Sequence, residues 1–437
     1  MEIDQNSSTC FISQSSSIIS KLQQRPMEKE QLKLSEIAYF ASAYDVHECP
    51  FFAHLHELKL REHEFDYYGP AGPLARPLGE LTLNSFEFPE LVAKEEPGQL
   101  NAVILRGCLE VVPQIEKLWS EFNSKPKLII ADVHSLYAAI LARKHKIPIL
   151  ALYPGFFVNS TSHSFDQVTE KILSEPIEEH LKPRAEEVEK MYGYKISTNI
   201  DLFVQGDRNI SAFIKEFGEK MAPETETSTY IGPSFMDDKK IDDETLLDVE
   251  LGKENLVFVS LGLISFVKNA FSSLETIIEA LKDTKYTVLI STTEEKAEEI
   301  FKKGIPTNFI VRGPVPTEYV LQNSNLFITH FGPQGIMRAI ENKVPMVGIP
   351  RARDHFANGE VVEKLHLGKM LREVTPESIK KAVEETISSK EIKKALEQHQ
   401  SMIHSKKSRE KFFEIVAKMY DFKPDIHKYD YRVKETI

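Results

Sequence analysis

The chain is poor in cysteine and tryptophan and carries no surplus of basic charge, and each shortage removes a class of explanation. Its three cysteines, Cys10, Cys49 and Cys108, are odd in number and widely spaced. That pattern indicates neither a disulfide framework nor a Cys-rich zinc site, and it points to a reducing, cytoplasmic setting. With 54 Lys and Arg against 66 Asp and Glu, the formal charge is −12, which leaves no electrostatic footprint for nucleic acid or an anionic membrane surface as a principal partner. The first twenty residues carry Glu2, Asp4 and seven serines instead of a basic start and an apolar block, so a secretory signal is not expected. A long hydrophobic run is missing too. The apolar stretch from Tyr137 to Phe157 is broken by Arg143, Lys144, His145 and Lys146, and it belongs inside a fold, not across ~30 Å of hydrocarbon.

What is present reads as a folded chain of two domains. It has 437 residues, 41% hydrophobic and 27% charged, which is too long for one ordinary core. Residues 1–33 form a Ser- and Gln-rich stretch without sustained period, expected as a flexible extension. From Ser35 onward, β-prone runs alternate with helical patterns. Ile37-Ala38-Tyr39-Phe40 is followed by Phe51, Phe52, Leu55 and Leu58 at helical spacing and then by Phe65-Asp66-Tyr67-Tyr68. Leu128 to Ala131, a helix through Tyr137 and Ile140, and Ile147 to Leu152 repeat the unit. Such alternation predicts an α/β fold with a mostly parallel sheet covered on both faces.

Residues 237–250 hold seven acids against two lysines and few large apolar side chains, which predicts an exposed acidic linker. Beyond it the alternation restarts at Leu256 to Ser260, with a helical stripe of Phe271, Leu274, Ile277, Ile278 and Leu281. Strand-like runs follow at Tyr286–Ser291, Phe309–Val311, Leu326–Thr329 and Met346–Ile349. The expected domains are therefore 34–236 and 251–410, both doubly wound, facing each other across a cleft. Residues 411–437 are expected to form a helix and tail that pack back on the first domain. Ligands of such sheets bind beyond the carboxyl ends of the strands, so the chemistry is sought in the turns after strands.

The first such turn carries His47 just before a helix, with Pro50 suited to that helix's first turn. A neutral imidazole there is able to take a proton from a hydroxyl near neutral pH, although a surface or capping histidine fits the same position. Asp132 directly follows the strand Leu128–Ala131, where a carboxylate can fix the tautomer of an imidazole and stabilise its cation or simply cap a helix. In the second domain, the strand ending at Thr329 runs into His330-Phe331-Gly332-Pro333-Gln334-Gly335 and a helix. Glycines permit close backbone approach, and a helix start offers N–H groups and a positive dipole end to a diphosphate. A third turn, Pro350 to Asn358, groups Arg351, Arg353 and Asp354, a combination able to offset phosphate charge and accept from sugar hydroxyls.

Together these segments resemble the UDP-dependent glycosyltransferase family over nearly all of residues 35–420. The run Phe327-Ile328-Thr329-His330-Phe331-Gly332, then Lys343 to Val347, Pro350, Asp354-His355 and Asn358, follows that family's donor-binding signature in order and spacing. Tyr230 to Pro233 and Val259 to Gly262 match segments that flank the family's linker. The resemblance implies a pair of Rossmann-like domains (the GT-B architecture) and an inverting, metal-independent glycosyl transfer with a UDP-sugar as co-substrate and a small hydroxylated acceptor. It implies His47 as base, Asp132 as its assisting acid, His330 on the donor phosphates, Asp354 and His355 on sugar hydroxyls, and Asn358 near the pyrophosphate. Gly262, Val315, Gly332 and Gln334 complete the implied donor site.

The chain departs from the family pattern at several of these positions. Pro314 stands where many members stack a tryptophan on uracil, and Thr317 where many have glutamine. Arg338 stands where a glutamate usually accepts from the ribose, and an arginine, which has no acceptor, is expected to reach phosphate instead. Gly335 replaces a phosphate-binding serine, Leu263 replaces a hydroxyl residue for which Ser265 is a substitute, and His355 replaces glutamine, which points to a donor sugar other than glucose, such as galactose. The acceptor pocket is expected around Tyr67, Tyr68, the Pro70–Pro77 loop and Phe156–Phe165, suiting an apolar hydroxylated molecule. A catalytically divergent, nucleotide-sugar-binding relative acting as a non-enzymatic partner or regulator, and nucleotide-sugar epimerisation, are the competing readings.

Overall fold

The computed structural model describes residues 33–42, 51–70, 81–88, 100–157, 174–235, 255–262 and 272–420. Two parallel sheets organise them. Strands β1 (Ile37–Phe40), β2 (Asp66–Pro70), β3 (Ser85–Phe88), β4 (Leu128–Asp132), β5 (Ile149–Tyr153), β6 (Arg208–Ser211) and β7 (Ser228–Tyr230) form a seven-stranded sheet in the order β3-β2-β1-β4-β5-β6-β7. Strands β8 (Leu256–Ser260), β9 (Thr287–Ser291), β10 (Phe309–Arg312), β11 (Leu326–Thr329), β12 (Met346–Gly348) and β13 (Gly368–Met370) form a six-stranded sheet in the order β10-β9-β8-β11-β12-β13. The chain is thus two doubly wound α/β sheets, the fold class read from the sequence.

Helices α1 (Phe52–Leu60), α2 (Leu100–Glu121), α3 (Leu136–His145), α4 (Lys182–Tyr192) and α5 (Lys215–Gly218) serve the first sheet. In the second half follow α6 (Ser272–Leu281), α7 (Glu294–Lys303), α8 (Thr317–Gln322), α9 (Pro333–Glu341), α10 (Arg353–Lys364), α11 (Pro376–Ser388), α12 (Lys390–Gln400) and α13 (Ser405–Tyr420). Helices on both faces explain the composition of the central strands: every residue of β1 and of β5 is buried, so neither strand alternates polar with apolar. Four short strands, β3, β6, β7 and β13, and the long helix α2 have no counterpart in the sequence reading. The sequences Arg208–Ser211 and Ser228–Tyr230 are too short and polar to announce strands, whereas α2 does carry helical spacing at Cys108, Val111, Val112, Ile115, Leu118 and Trp119, all buried.

Both sheets reverse their winding direction between two central strands. In the first sheet the switch lies between β1 and β4, paired Phe40 with Ala131; in the second it lies between β8 and β11, paired Ser260 with Thr329. Crevices for ligands open at such points, beyond the carboxyl ends.

The C-terminal helix returns to the first sheet. Phe412, Phe413, Val416 and Ala417 are buried in one cluster with Phe51, Leu55 and Leu58, each phenylalanine contributing roughly 2 kcal/mol of apolar burial. Polar contacts fix the same helix at its start: Ser408 Oγ donates to Gly232 O at 2.7 Å and lies 2.7 Å from His54 Nε2, while Arg409 Nη1 donates to Ser234 Oγ at 2.8 Å and Lys411 Nζ to Tyr230 O at 2.9 Å. Among the described residues no helix is long and apolar enough to cross a membrane.

Candidate active site

At the first switch point, Asp132 is the last residue of β4 instead of the first of a turn. Its Oδ2 accepts from the Ser42 amide at 3.1 Å and from the Tyr39 hydroxyl at 3.3 Å. Burial pushes its carboxyl up to about 6, against the opposing pull of those two donors. Ser42 is the residue at which the His47 turn leaves the sheet; His47, like Leu263 and Ser265, lies outside the described residues.

At the second switch point, β11 delivers His330 into the turn before α9. The turn is built around Phe331, whose φ of 63° is unusual for a residue with a side chain. Its strain is held from two sides: Asn358 Nδ2 donates to Phe331 O at 2.9 Å, and the ring fills space left by Gly348 and Gly359, where an added Cβ would come within 1.8 Å and 2.9 Å of it. Asn358 is fully buried, and one N–H of its amide positions the turn from behind.

Glycines let the imidazole of His330 sit close to backbone. A Cβ on Gly262, which has φ +80°, would lie 3.1 Å from His330 Cε1, and one on Gly332 would lie 2.4 Å from Nε2. The ring of His355 stands edge-on to that of His330, with centroids 4.6 Å apart. Burial, reinforced by the neighbouring His355 and Arg351, lowers His330 to about 3, and burial with Arg351 lowers His355 to about 4. Both imidazoles are therefore neutral hydrogen-bonding groups near pH 7. His355 Nδ1 accepts from the Ala352 amide at 3.1 Å, so its proton sits on Nε2, 3.7 Å from Asp354 Oδ2. In the first turn of α9, Gln334 Nε2 is buried with no hydrogen-bond partner among the described residues, and Gly335 packs its α-carbon against Phe327 and Thr329.

The nucleoside side of the site differs from expectation. Arg338 does not stand free for phosphate: its Nη1 donates to Glu318 Oε2 at 3.1 Å, and its guanidinium lies 4.9 Å from the centroid of Phe235. Glu318 also accepts from Asn342 Nδ2 at 2.8 Å. Pro314 is exposed, Val315 half-buried, and Thr317 opens α8. Tyr67 and Tyr68 are not pocket-lining groups either. They are 0% and 1% exposed, with Tyr68 stacked between Phe40 and Phe86 at 4.6 and 4.8 Å, because adjacent residues of β2 face the two covered sides of the sheet. Phe157 is likewise core; residues 71–77 and 158–165 lie outside the described residues. No group of three or more His, Cys, Asp or Glu side chains suited to a metal occurs among the described residues.

The two sheets approach each other at their carboxyl ends. A Cβ on Gly155, just past β5, would lie 3.3 Å from Pro333 Cγ, the first residue of α9. The segment after β5 thus lies against the start of α9.

The family model described as UDP-glucoronosyl and UDP-glucosyl transferase matches residues 212–411, a span that holds the whole second switch point. An NDP-glycosyltransferase of Bacillus licheniformis, YjiC, is 28% identical over 309 residues, covering 70% of this chain and 75% of its own. These matches support a member of the UDP-glycosyltransferase family. The chain is a glycosyltransferase with the family's GT-B fold: a solved glycosyltransferase of kitacinnamycin superposes with a TM-score of 0.71 at 20% identity, covering 89% of this chain and 100% of that one. A UDP-glucose:anthocyanidin 3-O-glucosyltransferase, solved with UDP, superposes at 0.67 and 14% identity, covering 90% and 100%. Glu318, Phe235, Tyr39 and Ser42 are site neighbours the sequence reading missed. No short motif marks them, since each arrives from a different element.

Proposed function

We propose that this glycosyltransferase moves a hexosyl group from a UDP-sugar to a hydroxyl of a small, apolar acceptor, with inversion and without a metal ion. The observation that supports the reading is the approach of Gly155 to Pro333, which sets the chain just past β5 against the start of α9. His47 deprotonates the acceptor hydroxyl as it attacks the anomeric carbon, and Asp132 stabilises the imidazolium that forms. The departing diphosphate is held by the amides of the first turn of α9 and by His330, with Gln334 Nε2, buried and unpartnered, as a further donor. Asp354 and His355 take the sugar hydroxyls.

The division into 34–236 and 251–410, joined by 237–250, with 411–437 returning to the first domain, is part of the same reading, and the burial of Phe412 and Phe413 beside α1 supports it. The test is release of UDP from UDP-sugars in the presence of hydroxylated acceptors, with His47→Ala run in parallel. Acceptor-dependent release that collapses in the variant is the expected result; equal release by both proteins removes His47 from its role.

A further inference from the structure

The segment that leaves β7 is fastened to the first sheet until it reaches the second. The Ile231 amide donates to Ser211 O at 3.0 Å and the Gly232 amide to Phe213 O at 3.1 Å. Ser408 and Arg409 of α13 hold Gly232 O and Ser234 Oγ, and Arg409 Nε lies 3.5 Å from Glu57 Oε2 of α1. The next side chain meets the other half of the molecule: the Phe235 ring centroid lies 4.9 Å from the Arg338 guanidinium, in α9. That guanidinium is itself held, since Arg338 Nη1 donates to Glu318 Oε2 at 3.1 Å and Asn342 Nδ2 donates to Glu318 Oε1 at 2.8 Å. It cannot turn away from the ring without giving up the bond to Glu318. A largely desolvated cation on an aromatic face attracts more strongly than an exposed one. A carboxylate at position 338 would meet the negative face of the ring and the charge of Glu318, so a cation suits the position.

Helix α9 therefore touches segments that follow strands of the first sheet at two places. Its first residue, Pro333, lies against Gly155, and Arg338, five residues on, lies against Phe235. At 1.5 Å of rise per residue the two contacts are about 7.5 Å apart along the helix axis. One contact fixes a point and leaves the axis free to swing; two fix its direction. With Pro333 as pivot, a shift of about 1 Å at Arg338 tilts the axis by about 8°, and the N–H groups of the first turn tilt with it. We infer that Phe235 is a positioning residue for glycosyl transfer: acting through Arg338, it sets the tilt of α9 against the first sheet, and with it the direction in which the donor diphosphate is presented. The inference rests on the donor reading above, in which the start of α9 holds the diphosphate. Transfer depends on such alignment far more steeply than binding does, because the reacting atoms must meet in line.

Four variants test it. Phe235→Leu keeps an apolar side chain and removes the ring, Phe235→Tyr keeps the ring, Arg338→Gln keeps a donor for Glu318 and removes the cation, and the fourth combines Phe235→Leu with Arg338→Gln. Each is assayed for UDP release from UDP-sugars in the presence of hydroxylated acceptors and for UDP binding by calorimetry, well below its melting temperature. For Phe235→Leu, kcat is expected to fall about three- to tenfold, while the Kd for UDP stays within about twofold of the wild type. Phe235→Tyr is expected to keep the wild-type kcat. In the Arg338→Gln background, Phe235→Leu is expected to cost nothing further. The inference is overturned by an unchanged kcat in Phe235→Leu, by an equal loss in Phe235→Tyr, or by the same factor of loss in the Arg338→Gln background. A fall in UDP affinity as large as the fall in kcat overturns it too, since a damaged donor pocket would then account for both. A wild-type protein that binds no UDP overturns the underlying donor reading, and the inference with it.

Discussion

His330 and His355 stand edge to face, ring centroids 4.6 Å apart and planes at 73°. The contact joins the turn after β11 to the first turn of α10 and keeps two neutral imidazoles side by side. With Nδ1 of His355 accepting from Ala352, its Nε2 presents only a donor, whereas the glutamine common in the family presents a donor and an acceptor.

That difference bears on the donor sugar. The wild-type protein is expected to use UDP-galactose better than UDP-glucose, and His355→Gln to shift the ratio of kcat/KM values toward glucose by about tenfold, the equivalent of one hydrogen bond. Parallel turnover with both sugar nucleotides decides it; a clear glucose preference in the wild type removes the idea.

Arg338 and Glu318 form a pair only 15% and 13% exposed, so neither charge is screened as a surface pair would be. Arg338→Ala leaves Glu318 with Asn342 alone and is expected to destabilise the protein by about 1–3 kcal/mol, read as a lower denaturant midpoint. Because the guanidinium has no acceptor and Glu318 is held by Arg338 and Asn342, little discrimination of the ribose 2′-hydroxyl is expected at this wall. UDP and 2′-deoxy-UDP are expected to bind within about threefold of one another by calorimetry; a hundredfold preference for UDP contradicts that.

Asn358 holds the left-handed Phe331 by one hydrogen bond at 2.9 Å. Asn358→Ala unties the turn that carries His330. A rise in donor KM with a loss of about 1–3 kcal/mol of stability is expected. Unchanged donor KM in a destabilised variant would show that the turn keeps its shape by packing on Gly348 and Gly359 alone.

Acid should unfold the protein early. His54, lowered to about 3 by burial and Arg409, joins His330 at about 3 and His355 at about 4. Each binds its proton more weakly folded than unfolded, so their contribution is fully present above pH 6.5 and is lost as pH falls from there toward 4. Asp66 and Asp132, raised by burial to about 6, Glu341, raised to about 7, and Asp354, also raised by burial, act in the opposite sense as pH falls, but they only partly offset these histidines together with His134, lowered to about 4 by burial. A melting temperature that falls steadily between pH 7 and pH 5 is the expected result, and one that rises would reverse the sign assigned here.

Legibility in the sequence tracked the strength of the local pattern. Strands such as Leu256–Ser260 and Leu326–Thr329, continuous and apolar because both faces are covered, were readable to the residue. The strands at β6, β7 and β13 were not, since three or four residues hydrogen-bonded by a neighbour need little hydrophobic periodicity of their own. The same division runs through the site. His330, Gly332, Asp354 and Asp132 lie at or just beyond strand ends, where the spacing announces them. Their supports, Tyr39 below Asp132, Glu318 beside Arg338 and Gly348 under Phe331, come together only by folding. Tyr67 and Tyr68 misled for the converse reason: an aromatic pair next to a Pro- and Gly-rich segment looks like loop material, yet β2 buries both.

The central claim is a single in-line displacement across the gap between the two switch points. The anomeric configuration of the product formed from an α-linked UDP-sugar, read by proton NMR coupling in the first minutes of reaction, tests it most directly. A β-linked product, absent with His47→Ala, is predicted; an α-linked product would contradict the account.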